Sequence, residues 1–124
     1  MNPILKKLFF KSQSPVLLLQ APSEFKKTAK DFGVPLHGSV KGKYGFVLAF
    51  VKSLAEGEKL ARTIGKALEG GAVLWVAYPK GTSKKYKSDY NRDTGNALME
   101  KHGFTGVSLV ALDDDWSAMR FKVK

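Results

Sequence analysis

Three short apolar runs constrain the fold of this chain more than any other feature of its sequence. They cover residues 16–19, 44–51 and 73–78 and consist almost entirely of aliphatic and aromatic residues. A strand with one wet face alternates between apolar and polar residues, whereas a strand covered by helices on both faces is apolar throughout. The runs therefore predict three central strands of a mostly parallel sheet.

The first part of the chain carries signals for two short helices and a weak edge strand. Asn2-Pro3 is a typical helix start, because Asn can cap free N–H groups and Pro fits the first helical position. Residues 25–32 predict a second helix, which Gly33 closes. Residues 36–40 predict the edge strand.

Two further helices are predicted between the later strands. Ser53 and Glu56 have the spacing of a capping box, and apolar residues at helical spacing continue from there until Gly70-Gly71. Ser88 is the predicted cap of the last helix, which should end near His102.

The C-terminal segment predicts two strands joined without a helix. Residues 107–112 and 117–123 flank a turn at Asp113-Asp114-Asp115, and such a short connection makes the two strands antiparallel. Strands and helices alternate before this hairpin. The predicted fold is therefore α/β, a three-layer sandwich around a mostly parallel sheet with a C-terminal antiparallel β-hairpin.

Length and composition bound the domain count and the available chemistry. With 124 residues, of which 44% are hydrophobic, the chain predicts a single α/β domain over residues 1–124. It contains no cysteine, which excludes disulfides, thiolate metal sites and a cysteine nucleophile. The N-terminal stretch lacks the pattern of a signal peptide, and no apolar run approaches the roughly 20 residues that span a bilayer. We therefore expect a cytoplasmic protein with no membrane partner.

The chain is strongly basic. It carries 21 Lys and Arg against 11 Asp and Glu, a formal net charge of +10. A positive field of this size attracts polyanions, so nucleic acid and phosphorylated small molecules are the candidate partners.

Two stretches resemble an uncharacterised bacterial family of small proteins, a domain of unknown function. Leu74-Trp75 and Pro79-Lys80 match its L-W-x-x-x-P-K pattern, and Asp113 with Trp116-Ser117 matches its D-x-x-W-S pattern. This resemblance implies no established activity. From Tyr44 onward the chain is also similar in outline to the second half of class I methyltransferases, a Rossmann-like fold that ends in an antiparallel hairpin. That likeness concerns the fold, and a fold does not imply a function.

The methyltransferase likeness can be examined at the two places where such enzymes hold S-adenosylmethionine. The turn after the first strand, Gln20-Ala21-Pro22-Ser23, has no glycine, and Pro22 lacks a backbone N–H, so close backbone approach to the cofactor is hindered. Residues 36–41 contain no acidic residue that would bind the ribose hydroxyls. The sequence therefore predicts no cofactor.

The segment from Pro79 to Gly95 is the main candidate for a functional site, because it leaves a central strand at the edge where open α/β sheets bind ligands. The predicted anion-binding cations are Lys80, Lys84, Lys85, Lys87 and Arg92. Aromatic rings stack on bases, which makes Tyr86, Tyr90 and Trp116 candidate pocket residues. The alternative is a solvated lysine-rich loop whose tyrosines pack on the core.

The remaining polar residues form no catalytic pattern. Three adjacent aspartates in a tight turn cannot all face one ion, so no metal site is predicted. His37 and His102 are isolated, and no nucleophile-elbow motif accompanies them.

The predicted function is a binding or regulatory module with an anion-binding loop. The alternatives are a small enzyme with an unorthodox pocket at the carboxyl ends of the strands and a degenerate methyltransferase-like protein.

Overall fold

The computed structural model describes residues 2–124, which form one six-stranded sheet with helices on both faces. The strands are β1 (Val16–Leu19), β2 (Leu36–His37), β3 (Tyr44–Phe50), β4 (Leu68–Pro79), β5 (Phe104–Ala111) and β6 (Trp116–Val123). The helices are α1 (Pro3–Lys7), α2 (Lys26–Lys30), α3 (Leu54–Thr63) and α4 (Arg92–Lys101). The strand order in the sheet is β2-β1-β3-β4-β6-β5.

The sheet is mostly parallel and ends in an antiparallel hairpin. Strands β2, β1, β3 and β4 pair in parallel, whereas β6 pairs antiparallel with both β4 and β5. Asp113 makes the hairpin turn, because its Oδ1 accepts the N–H groups of Asp115 and Trp116, both at 2.8 Å. The prediction of a turn here is confirmed.

The core lies in two layers, one on each face of the sheet. One layer packs α1 and α2 against the sheet through residues such as Leu5, Phe25 and Trp75. The other packs α3 and α4 through residues such as Ala61 and Met99. Strands β3 and β4 lie between both layers and bury both of their faces, which is why their sequences are continuously apolar. The predicted three-layer sandwich is confirmed.

The predicted end of the third helix at Gly70-Gly71 is wrong. Helix α3 ends at Thr63, a 3-10 segment covers Ile64–Ala67, and β4 already begins at Leu68. Ile64 and Ala67 are both buried in this tighter segment, and Leu68 pairs with Tyr44 of β3. Core burial and sheet pairing thus override the helical pattern that continues past Thr63.

The predicted cap of the last helix at Ser88 is also wrong. Asn91 caps α4, since its side chain accepts the N–H groups of Asp93 and Thr94, and Ser88 instead accepts the N–H of Tyr90. The predicted edge strand over residues 36–40 is shortened to Leu36–His37. No helix in the part of the chain that the structure describes is both long enough and apolar enough to cross a membrane.

Candidate functional site

A cavity of about 530 Å³ opens where the carboxyl ends of β1 and β3 meet α3. From β1 the chain proceeds to β2 on one side of the sheet, and from β3 it proceeds to β4 on the other. Open α/β sheets bind their ligands at such a switch point in strand order. The lining residues are Leu19, Gln20, Ala49, Phe50, Val51, Glu56, Lys59, Leu60 and Thr63.

The turn at the end of β1 has an unusual backbone. Gln20 follows the last residue of β1 with a φ of 58°, in the left-handed region that glycine adopts readily. A residue with a side chain adopts this region at a cost of about 1–2 kcal/mol. The backbone at this turn therefore has a conformation suited to glycine, although the sequence offers none.

The first turn of α3 forms the rim of the cavity, and its backbone N–H groups are largely occupied. Ser53 Oγ accepts the N–H of Glu56 at 3.1 Å, and Asp89 Oδ1 accepts the N–H of Leu54 at 2.7 Å. Glu56 itself is held, because its Oε1 accepts the N–H of Lys52 at 2.9 Å. The helix start is thus capped by its own chain and offers little to an external anion.

The residues at the ends of β1 and β2 do not fit S-adenosylmethionine in the ordinary way. Pro22 has no N–H to offer, and its carbonyl accepts the N–H of Phe25 to begin a 3-10 turn. At the end of β2, His37 Nδ1 lies 2.6 Å from Tyr44 Oη, and that oxygen also accepts the N–H of Lys41. These polar groups satisfy one another, and no carboxylate stands among them.

The loop between β4 and α4 folds back over the same edge of the sheet. The N–H of Lys80 donates to the carbonyl of Asp115 at 2.8 Å, and Ser83 Oγ donates to the Asp115 carboxylate at 2.8 Å. The centroids of the Tyr86 and Trp116 rings lie 5.0 Å apart. These contacts dock the predicted anion-binding loop onto the C-terminal hairpin.

Glu24 organises this loop and was not singled out by the sequence patterns. Its carboxylate accepts hydrogen bonds from Tyr86 Oη at 2.8 Å and from Trp116 Nε1 at 3.1 Å, and it pairs with Lys85 Nζ at 3.4 Å. Burial alone would raise the pKa of this carboxyl, but its backbone hydrogen bond, Trp116, Tyr86 and the charge of Lys85 together lower the pKa to about 2. The only available signal was the position of Glu24, two residues after Pro22, as the first acidic residue of a basic chain.

The predicted cations have different environments. Lys85 is neutralised by Glu24, and Arg92 pairs with Asp93 at 3.5 Å on an exposed helix start. Lys84 and Lys87 are exposed, and neither makes an ion pair within residues 2–124. The structure therefore gathers Lys85 with Tyr86 and Trp116 but leaves the other lysines spread over the surface.

Two of the three predicted pocket aromatics lie inside the core. Tyr90 and Trp116 are each only 1% exposed, so neither ring is open to a ligand. Tyr86 is partly exposed, and the ammonium groups of Lys52 and Lys85 lie 5.2 and 5.5 Å from its ring centroid. Of the three, only Tyr86 is positioned to touch a bound molecule.

Comparison with solved structures identifies the fold. The PH0226 protein from Pyrococcus horikoshii OT3 superposes with a TM-score of 0.69 at 10% identity, covering 98% of this chain and 87% of that one. A SAM-dependent methyltransferase from Aquifex aeolicus gives 0.65 at 11% identity, covering 98% and 88%. The CcbJ methyltransferase from Streptomyces caelestis gives 0.64 at 10% identity, covering 97% and 86%.

At these identities the likeness establishes the fold and nothing beyond it. No protein-family model and no curated protein sequence matches the chain. The resemblance to a bacterial domain of unknown function therefore stays a prediction. The chain has a methyltransferase-like α/β fold.

Proposed function

We propose that this protein is a small-molecule-binding domain built on a methyltransferase-like fold, with its ligand in the cavity between β1, β3 and α3. The observation that carries the proposal is the position of this cavity at the switch point of the sheet. Its volume of about 530 Å³ lies within the usual range for ligand pockets.

The walls of the cavity indicate the class of ligand. Leu19, Phe50 and Leu60 provide an apolar surface. The Gln20 amide makes no side-chain hydrogen bond within the described residues, and Lys59 adds a charge at the rim. This combination suits a compact organic molecule that is mostly apolar and carries a few polar groups.

The left-handed backbone of Gln20 supports a binding role. Strained residues persist where function requires them, and Gln20 lies both on the cavity wall and at the turn that holds the cofactor in methyltransferases. We infer ligand binding without ordinary methyl transfer, because Pro22 and the closed His37–Tyr44 pair are unsuited to S-adenosylmethionine. The protein is in this sense a degenerate methyltransferase-like domain.

A fragment titration followed by NMR tests the proposal. We expect small apolar fragments, added to ¹⁵N-labelled protein, to shift the amides of Leu19, Gln20 and Leu60 first. Thr63→Trp should abolish these shifts by filling the mouth of the cavity. The matched control is Ala55→Trp, which places the same ring on an exposed position of the same helix that does not line the cavity.

S-adenosylmethionine and S-adenosylhomocysteine belong in the same titration. Binding of either compound with the same dependence on Thr63 would show a retained cofactor pocket and would contradict the absence of ordinary cofactor binding. Shifts that map away from the cavity for every fragment, or that survive Thr63→Trp, would contradict the proposal itself.

The basic loop is a second candidate, for an anion. Its support is that Lys84 and Lys87 are exposed and make no ion pair in residues 2–124. If this loop holds a polyanion, Lys84→Met and Lys87→Met will weaken the binding of a short oligonucleotide and reduce its salt dependence.

A further inference from the structure

An arginine of the C-terminal hairpin lies on the α1 face of the sheet and makes no ion pair within residues 2–124. Arg120 of β6 is the cross-strand neighbour of Trp75 of β4, and its guanidinium carbon lies 5.4 Å from the centroid of the Phe9 ring. Within residues 2–124 no carboxylate lies in ion-pair range of Arg120, and its buried Nε has no hydrogen-bond partner. A partly buried guanidinium in this state lacks the acceptor that such groups normally have.

The residue directly opposite Arg120 in the hairpin also has a buried polar atom without a hydrogen-bond partner. Ser108 of β5 pairs in register with Arg120, and its Oγ is also buried without a hydrogen-bond partner. Side chains of directly opposite residues share one face of a sheet and lie close together. Both residues can donate hydrogen bonds, and an acceptor-rich group placed between them would satisfy both.

Phe9 covers this position from an unusual backbone conformation. Helix α1 ends with hydrogen bonds from the Phe10 N–H to the Leu5 carbonyl and from the Phe9 N–H to the Lys6 carbonyl, both at 3.1 Å. Glycine usually occupies the position of Phe9 in this helix ending, because φ is positive there, and here φ is 57°. A bulky residue in this region is uncommon and points to a role for its side chain.

The side chain of Phe9 is partly exposed. Its ring lies nearly parallel to the Trp75 indole, at 15° and 6.4 Å between centroids, yet the residue is 47% exposed. Trp75 and Arg120 both belong to the sheet, so the ring lies over the sheet with part of its surface in solvent. A flat exposed aromatic ring of this kind can stack on a nucleobase.

Two lysines, Lys7 and Lys122, lie near Phe9 and Arg120 and make this part of the surface basic. Lys7 reaches over β5, with its Nζ 3.4 Å from the carbonyl of Ala111. Lys122 lies two residues from Arg120 on β6 and therefore faces the same side of the sheet. Neither lysine makes an ion pair in the described chain.

We propose that this surface, formed by Phe9, Ser108 and Arg120 with Lys7 and Lys122 beside them, binds a nucleotide. The phosphate accepts hydrogen bonds from Arg120 and Ser108, and the base stacks on the exposed part of the Phe9 ring. The planar guanidinium matches the geometry of phosphate oxygens, and all the polar side chains named here can donate. The site lies on the α1 face of the sheet, separate from the cavity beside α3.

This site can be tested by NMR titration of the ¹⁵N-labelled chain. The ligands are AMP, inorganic phosphate and an oligodeoxyadenylate of five nucleotides. We expect AMP to shift the Nε–H signal of Arg120 and the amides of Phe9 and Ser108, and to bind more tightly than phosphate. Arg120→Met keeps an unbranched stem against Phe9 and should weaken AMP binding about tenfold or more. Phe9→Gly suits the left-handed position and should reduce AMP affinity toward that of phosphate.

The matched control is Lys66→Met, which removes the same charge from an exposed position on the α3 face of the sheet, outside the basic loop. It should change AMP affinity by less than about twofold, because exposed charges at a distance are screened. Equal losses in Arg120→Met and Lys66→Met would show attraction by net charge alone and would overturn the proposal. So would phosphate binding as tight as that of AMP, or an absence of shifts at Phe9, Ser108 and Arg120.

The remaining comparisons identify the source of the nucleotide. Tighter binding of the oligonucleotide than of AMP would assign a single-stranded nucleic acid, and equal binding would assign a free nucleotide. Thr63→Trp should leave AMP binding unchanged, so a failure of the cavity proposal and a failure of this one can be told apart.

Discussion

At the scale of the residue, the charged side chain of Glu24 links three parts of the chain. It is hydrogen-bonded to Tyr86 and Trp116, which follow it by 62 and 92 positions in the chain. Both partners donate, and only a carboxylate can accept from both while also pairing with Lys85. Its charge is therefore part of the fold at neutral pH.

The low pKa of Glu24 predicts how stability depends on pH. The folded-state pKa of about 2 lies below the ordinary value of 4.5, so the unfolded chain binds the proton more tightly. The stabilisation from this carboxylate is complete above about pH 5 and is lost as the pH falls toward 2. Glu24→Gln should lower the free energy of unfolding by about 1–3 kcal/mol at neutral pH, and the difference from wild type should narrow in acid.

Urea unfolding at about pH 7 and about pH 3 measures both quantities. Glu69→Gln is the control, because Glu69 is exposed and should change stability by no more than about 0.5 kcal/mol. A Glu24→Gln difference that stays constant between the two pH values would contradict the assigned role.

At the scale of the element, the packing of α3 against α4 depends on two glycines. The ring of Tyr90 lies between Gly57 of α3 and Gly95 of α4. A Cβ on Gly57 would come within 2.7 Å of Tyr90 Cε2, and a Cβ on Gly95 would collide with the same ring. A hydrogen bond between Glu58 Oε2 and His102 Nε2, at 2.9 Å, also joins α3 to the residue that ends α4.

Gly95→Ala should therefore destabilise the protein, although alanine is the better helix former. Helix propensity favours alanine by about 1 kcal/mol, but overpacking against a ring that is 1% exposed costs about 1–3 kcal/mol. Thermal unfolding should show a lower Tm for Gly95→Ala. Gly65→Ala is the matched control, since no atom lies within 4 Å of its Cβ position, and an equal loss there would remove the packing explanation.

At the scale of the whole molecule, stability should be graded from the centre of the sheet to its β2 edge. Strands β3 and β4 pair over six registered positions and lie between both core layers, whereas β2 contributes two residues beside β1. We expect the amides of residues 47–49 and 74–77 to exchange most slowly with solvent and those of β2 and α2 to exchange through local opening. Hydrogen exchange that is as slow in β2 as in β3 would contradict this gradient.

The parts of this fold that could be predicted from the sequence are those with local causes. A strand buried on both faces must be apolar at every position, so residues 16–19 and 44–51 predicted β1 and β3 directly. Asn2 and Ser53 cap helices through bonds to residues two or three positions away, and Asp113 makes its turn in the same way. The C-terminal end of α3 was predicted wrongly, because it depends on competition between the helix and the pairing of β4 with the sheet.

The candidate sites depend on contacts that no local pattern contains. The cavity exists because the strand order brings the ends of β1 and β3 together beside α3. Ser108 and Arg120 face each other because of the register of the hairpin, and Phe9 reaches Arg120 because α1 ends in a left-handed turn. The sequence by itself determined the central strands, the helix starts at Asn2 and Ser53, and the C-terminal hairpin. Hydrophobic periodicity and helix capping act over a few residues, so these features have local causes. Only the tertiary structure decided which distant polar groups meet and which are left without partners, because strand order and register bring together residues that lie far apart in the chain.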